Sequence, residues 1–217
     1  MNKNEVLNLF TTSFEEVIRD YPMKPSPDVF STAKLFGRPD LTQSEKVQLG
    51  TKIEKLINYF VDNHTGITSV KGKNGNLWMN PDTNEVSSGG NGKGLKDIDI
   101  LFIFNRITFY LESKNNLNLD TEKGPETIEK VKVITECLIN NKNHSNVVGK
   151  VITPFWDSTD VPISGSIKKS GCVMWFGEFC ELLNLPITKS EWEDKCKELG
   201  KLLCNQFLNI LVVKLES

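Results

Sequence analysis

Apolar residues recur at three- and four-residue steps in two early stretches, the spacing of amphipathic helices. In residues 4–20 the stripe is Val6, Leu9, Phe10, Phe14, Val17 and Ile18. In residues 43–62 it is Leu49, Ile53, Leu56, Ile57 and Phe60, with Thr42 or Ser44 placed to cap the helix. Between them YPMKPSP (21–27) carries three prolines in seven residues, which predicts a break or a linker. Residues 64–96 then lose periodicity. Their seven glycines and many Asn and Lys predict a polar, flexible loop in which only ITSVK (67–71) reads as a strand.

The period next shifts to that of strands. DIDILFIF (97–104) and ITFYLESK (107–114) predict a β-hairpin around Asn105-Arg106. Asn suits the positive φ of a two-residue turn; Arg suits it less, which leaves the turn type open. After Pro125, the positions Ile128, Val131, Ile134 and Leu138 predict a helix over 126–140. VVGKVIT (147–153) and CVMWF (172–176) read as strands, and 176–184 and 189–203 as short helices. The tail FLNILVVKL (207–215) fits strand or helix, its β-branched residues favouring strand. This order predicts the α/β class: a mixed central β-sheet flanked by helices, with a small C-terminal helical segment. A length of 217 residues predicts a single domain, with a core at 43–155 completed by 156–217.

Charge narrows the function classes. Lys and Arg number 26 against 28 Asp and Glu, a formal net charge of −2. That excludes a protein that coats nucleic acid by bulk charge and leaves room for a local basic groove. No apolar run approaches a membrane span, and Glu5 interrupts any signal-peptide core, so no membrane partner is expected. The five cysteines (137, 172, 180, 196, 204) are odd in number and form no CxxC pair. With only His64 and His144 to help, a zinc site is not expected. Reduced, mostly buried thiols predict a cytoplasmic protein.

The candidate chemistry lies at the open end of the hairpin. With Phe104 opposite Ile107, Asp99 falls opposite Glu112 and Asp97 opposite Lys114. Alternation puts Asp97 and Asp99 on one face, and Glu112 and Lys114 likewise. Three carboxylates and one amine thus gather beside a strongly apolar hairpin. An exposed polar face is the plain alternative, yet the flanking ILFIF and ITFYL mark the hairpin as central. Carboxylates about 5 Å apart repel one another. A divalent cation relieves that repulsion, and oxygen donors suit a hard ion such as Mg²⁺.

The pattern Asp99, twelve residues, then Glu112-Ser113-Lys114 resembles the signature of the PD-(D/E)xK nuclease superfamily. Ile98 stands where the family's usual Pro precedes the Asp. The stretch ESKNNLNLDTEKGPET (112–127) looks like the segment after the catalytic strand in several type II restriction endonucleases, and Ile53-Glu54-Lys55-Leu56 looks like the helix that often precedes this core. The resemblance covers about residues 45–150 and is strongest over 97–127. It implies a restriction-endonuclease-like core and Mg²⁺-dependent hydrolysis of phosphodiesters in double-stranded DNA. Asp99, Glu112 and Lys114 are the implied catalytic residues. Asp99, Glu112 and the Ser113 carbonyl are the implied metal ligands. Glu54 and Asp97 are auxiliary acids, Asp97 becoming the ligand itself if the register slips by two. A structure-specific repair nuclease of the same fold, or a non-catalytic DNA-binding module, are the alternatives. Cutting both strands favours a homodimer.

DNA contacts are expected from Lys71, Lys73, Asn74, Asn76, Lys93 and Lys96 of the 64–96 loop, and from Asn115, Asn116 and Asn118 after the catalytic strand. Trp78 is a stacking candidate. The loop reads equally as a plain glycine-rich surface segment. Lys168 and Lys169 of SGSIKKS (164–170) are a second candidate, with a solvated turn as the alternative. GGNGKG (89–94) lacks the phosphate-loop form, and residues 176–203 read as a packed helical pair rather than a helix-turn-helix. His64 and His144 are expected to be surface residues.

Overall fold

The computed structural model describes residues 2–5, 7–8, 11, 35, 43–70, 77–88, 94–119, 121–141, 143–144, 146–159 and 161–198. Residues 3–5, 7, 8 and 11 are helical. The rest of the predicted 4–20 helix, the proline-rich break, the 207–215 tail and Cys204 lie outside the described residues. The elements run α1 (Gln43–Asn63), β1 (Ile67–Ser69), β2 (Leu77–Asn80), β3 (Glu85–Ser87), β4 (Lys96–Ile98), β5 (Ile100–Phe104), β6 (Ile107–Ser113), α2 (Lys123–Asn140), β7 (Val147–Ile152), α3 (Gly165–Ser170), β8 (Val173–Met174) and α4 (Phe176–Leu182). A further helix, α5, covers 189–198.

The central sheet has the order β1-β5-β6-β7-β8. β1, β5 and β6 form an antiparallel meander; β7 and β8 add in parallel. The parallel step from β6 to β7 needs a crossover, which α2 supplies. The sheet is therefore mixed and flanked by helices on both faces. On one face Ile53, Leu56, Ile57 and Phe60 of α1 pack with Phe102, Phe109, Leu111 and, from the C-terminal helices, Phe176, Phe179 and Trp192. On the other, Val131, Ile134 and Leu138 of α2 pack with Leu101, Tyr110, Val151 and Ile167. Each such fully buried side chain contributes about 1.5–3 kcal/mol relative to exposure. The expected packed pair of C-terminal helices is present: the Phe176 and Trp192 rings stack at 3.8 Å.

The hairpin keeps the register read from the sequence, Phe104 opposite Ile107 through Ile100 opposite Leu111. Asn105 and Arg106 both hold positive φ, 49° and 63°, as a type I′ turn requires. Arg106 thus accepts the strained conformation its residue type disfavours.

Four expectations change. Residues 64–96 are not one unstructured loop. LWMN (77–80) and EVS (85–87) form a hairpin around the turn 81–84, and β4 completes a second sheet of order β3-β2-β4. Buried Leu77 and Met79 attach this sheet to the α2-side core. The predicted strand 97–104 is broken by a bend at Asp99: its first part joins the small sheet and only 100–104 the large one. Asp97 consequently pairs with Trp78 rather than with Lys114. The Lys114 N–H instead donates to the Ile152 carbonyl at 2.9 Å. The helix expected at 126–140 begins at Lys123, with Pro125 in its first turn, where the missing N–H is not needed. Finally, SGSIKKS contains the short helix α3 rather than a turn, capped in sequence by Ser164.

Gly149 of β7 lies hard against α2. A Cβ there would collide with Thr135 Oγ1 and sit 3.3 Å from Val131 Cγ1. Thr135 cannot easily yield, because its hydroxyl donates to the Val131 carbonyl at 2.6 Å. Gly149→Ala is expected to destabilise the protein by about 1–3 kcal/mol through overpacking, read as a lower urea midpoint. Adding Thr135→Ala should recover part of the loss, and a midpoint unchanged by Gly149→Ala alone would contradict this packing.

Among the described residues no helix is long and apolar enough to cross a membrane. Cys137, Cys180 and Cys196 are buried free thiols and Cys172 is half-buried, as expected for four of the five.

Candidate active site

Strand alternation explains the centre of the site. Tyr110 and Glu112 of β6 point to the α2 face, and Glu112 is only 1% exposed. A buried carboxylate must be well partnered. Glu112 Oε2 accepts from the Tyr110 hydroxyl at 2.7 Å, and Oε1 is 2.7 Å from Lys114 Nζ. A second lysine, Lys130 of α2, lies 2.7 Å from Glu112 Oε2. Its Nζ is also 2.9 Å from Asp97 Oδ1 and 3.8 Å from Asp99 Oδ1.

Asp99 reaches this point because the chain bends there between the two sheets. Asn58 of α1 ties the bend down, its amide lying 3.2 Å from both the Asp99 and the Glu54 carbonyls. Asp99 Oδ2 accepts the Ser113 N–H at 2.8 Å. The expected meeting of Asp99, Glu112 and Lys114 is therefore present, and so is Asp97, though it arrives from the small sheet. Sequence reasoning missed Lys130, Tyr110 and Asn58. Tyr110 was within reach of it, since residues 110, 112 and 114 share a strand period. Lys130 flanks the buried positions Thr127, Val131 and Ile134, but only the docked helix shows which neighbour of that stripe meets the carboxylates.

The protonation pattern follows from burial and crowding. Burial first, and the adjacent Glu112 carboxylate second, push Asp99 up to about 7. Glu54 is raised by burial, with Glu112 and Asp97 adding to it. Burial would raise Asp97 too, but its hydrogen bond to Lys130 and that ammonium's charge hold it below the usual range. Lys130 loses by burial and gains more from Asp99 and Glu112, so it stays firmly charged. Burial and the Glu112 charge push the Tyr110 phenol far up, which keeps it a neutral donor.

Asp97, Asp99, Glu112, Lys114 and Lys130 line a cleft of about 880 Å³ together with Glu54, Lys96, Ser113, Lys123, Glu126 and Glu129. Six carboxylates (Glu54, Asp97, Asp99, Glu112, Glu126, Glu129) face four ammonium groups (Lys96, Lys114, Lys123, Lys130). Among the described residues, Lys96 is the expected DNA contact that lines the cleft. Asn115 packs toward Gly50 of α1, Asn116 accepts the Asn118 N–H at 2.9 Å, and none of these three lines the cleft. Lys71, Lys73, Asn74, Asn76 and Lys93 lie outside the described residues. Trp78 is half-buried beside Asp97 across the small sheet. His64 and His144 are half-buried rather than surface residues: His64 Nε2 lies 2.8 Å from the Leu183 carbonyl, and His144 Nδ1 3.4 Å from Thr108 Oγ1. Neither lines the cleft.

The donor set fits a hard divalent cation. Asp99 and Glu112 both face the Lys130 ammonium, which lies 2.7 Å from Glu112 Oε2 and 3.8 Å from Asp99 Oδ1, so an ion bound by both would need Asp99 to close toward Glu112. Among the described residues no group of three His, Cys, Asp or Glu side chains is arranged to hold a metal ion. Mg²⁺ does not need one; it is commonly held by one or two carboxylates and completes its shell with water or substrate oxygens. No protein-family model, curated protein or solved structure matches this chain.

Proposed function

We propose that the chain is a Mg²⁺-dependent, site-specific endonuclease acting on double-stranded DNA, with a restriction-endonuclease-like core. The observation that carries this reading is the clustering of the Asp99 and Glu112 carboxylates around one ammonium, Lys130, with Lys114 held on Glu112 at 2.7 Å. The order α1, meander β1-β5-β6, α2, β7 supports it, since the resemblance implies a helix before the core and a hairpin between the two acidic positions.

Asp99, Glu112 and the Ser113 carbonyl would hold the ion. When bound, it polarises the phosphodiester and lowers the pKa of a coordinated water. Lys114 presents a fixed ammonium beside the reacting phosphate, where it orients the attacking water or offsets charge developing in the transition state. One P–O bond forms from water and one breaks. Tyr110 restrains Glu112, and Asn58 and the Ser113 N–H restrain Asp99. The excess of carboxylates over ammonium groups in the cleft also favours metal dependence, because a polyanion approaching them needs added positive charge. Cutting both strands at a defined site favours a homodimer, and the reduced thiols a cytoplasmic setting.

The test is incubation of the full chain with phage-length duplex DNA and Mg²⁺, with Glu112→Gln alongside. Discrete fragments lost in the variant support the reading. A smear would move the assignment to a non-specific or repair nuclease. No cleavage with Mg²⁺ or Mn²⁺ would overturn the enzyme reading in favour of a DNA-binding module.

A further inference from the structure

We infer that Lys130 is a built-in competitor for the cation: its ammonium fills the position the divalent ion takes, and metal binding requires it to move off Glu112. This rests on the metal-dependent reading above and adds a control on when the site loads.

The geometry carries it. Lys130 Nζ is 2.7 Å from Glu112 Oε2, yet 3.8 Å from Asp99 Oδ1. It sits among the carboxylates of both proposed ligands and of Asp97, closest to Glu112. A Mg²⁺ ion draws oxygens to about 2.1 Å, so ion and ammonium cannot share that point, and two cations a few ångströms apart repel. The lysine has somewhere to go. Its third partner, Asp97, is 2.9 Å away, with a side chain 59% exposed at the cleft mouth, whereas that of Glu112 is 2% exposed. The ammonium can therefore leave Glu112 and stay paired with Asp97. The helix need not move, because α2 is fixed by Thr127, Val131, Ile134 and Leu138 while the lysine stem has four flexible bonds. In the metal-free protein Lys130 pairs with the buried Glu112 and offsets part of the mutual repulsion of the acids. The site then loads only above a threshold of divalent ion. A lysine seated on the carboxylates nine-tenths of the time weakens apparent metal affinity about tenfold.

The experiment is Mn²⁺ binding to the full chain without DNA, read by electron paramagnetic resonance of free Mn²⁺. Lys130→Gln keeps a donor for Glu112 but removes the charge; it is expected to bind Mn²⁺ about tenfold more tightly than the parent chain. Lys130→Arg keeps the charge and should stay within about twofold of it. Equal or weaker binding by Lys130→Gln, with Mn²⁺ binding by the parent chain lost in Glu112→Gln, overturns the role of Lys130 alone. No Mn²⁺ binding in any form overturns both this role and the metal-dependent reading. A measurement without substitution guards against a variant that fails to fold: acetylation of Lys130, followed by mass spectrometry, should speed up several-fold on adding Mn²⁺. An unchanged or slower reaction contradicts the displacement.

Discussion

Glu112→Gln is expected to lower the initial rate of DNA cleavage by at least about a thousandfold, equivalent to about 4 kcal/mol of transition-state stabilisation. The size follows from how much converges on one carboxylate. Glu112 is a proposed metal ligand and also the partner of Lys114, Lys130 and the Tyr110 hydroxyl, all at 2.7 Å. Gln keeps the volume but loses the charge, and its NH₂ must face one of three donors. The cation site is weakened and Lys114 loses its anchor in the same step. Folding should survive with a loss of about 1–3 kcal/mol, because a buried donor is left facing another donor. DNA affinity, measured by gel shift without divalent ion, should change by no more than a few-fold. A variant that retains a tenth or more of the parent rate would remove Glu112 from the active site.

What the sequence conveyed, and what it hid, divides along the range of the interactions. The hairpin was legible because its cues are local: a two-residue turn and two runs of β-branched and aromatic residues fix the register. That register runs to Ile100 opposite Leu111, which leaves Asp99 one step from Glu112, and alternation sets Glu112 and Lys114 side by side. The small sheet was less legible. Its strands are three or four residues long, and its turn lies in a glycine-rich stretch whose composition reads as loop. The Leu77 and Met79 alternation was the available signal, and burial against Leu101 and Tyr110 gives it meaning. Extending the strand period through Asp99 misplaces Asp97, because the chain changes sheets there. Lys130 required tertiary knowledge. Several lysines precede or follow the α2 stripe, and only the β6–α2–β7 crossover determines that this one overlies the carboxylates.

Removal of divalent cations should make the stability of the protein fall as pH rises through the weakly acidic range, and Asp99 is the main cause. Its folded-state value is raised from the usual 3.8 to about 7 by burial and by Glu112. Between those values the folded chain keeps a proton that the unfolded chain has released, so the unfolding free energy declines with increasing pH. At about 1.4 kcal/mol per pH unit, the decline is of the order of 3 kcal/mol between pH 4 and pH 7, and it levels off above that. Glu54, also raised, acts in the same direction. Asp97, lowered by Lys130, acts oppositely: its stabilisation is lost only as pH falls below the ordinary Asp range. Asp99→Asn separates these contributions. The amide oxygen can still accept the Ser113 N–H, but no charge is buried. In EDTA the variant should match the parent chain near pH 4 and exceed it by about 2–3 kcal/mol at pH 8, measured by urea unfolding. Mg²⁺ should then raise the stability of the parent chain at pH 8 and leave the variant nearly unchanged, because the cation stabilises by neutralising the charge the variant lacks. Equal stability of the two proteins at pH 8 in EDTA would show that Asp99 carries no buried charge, and the cation site would have to be centred elsewhere in the cleft.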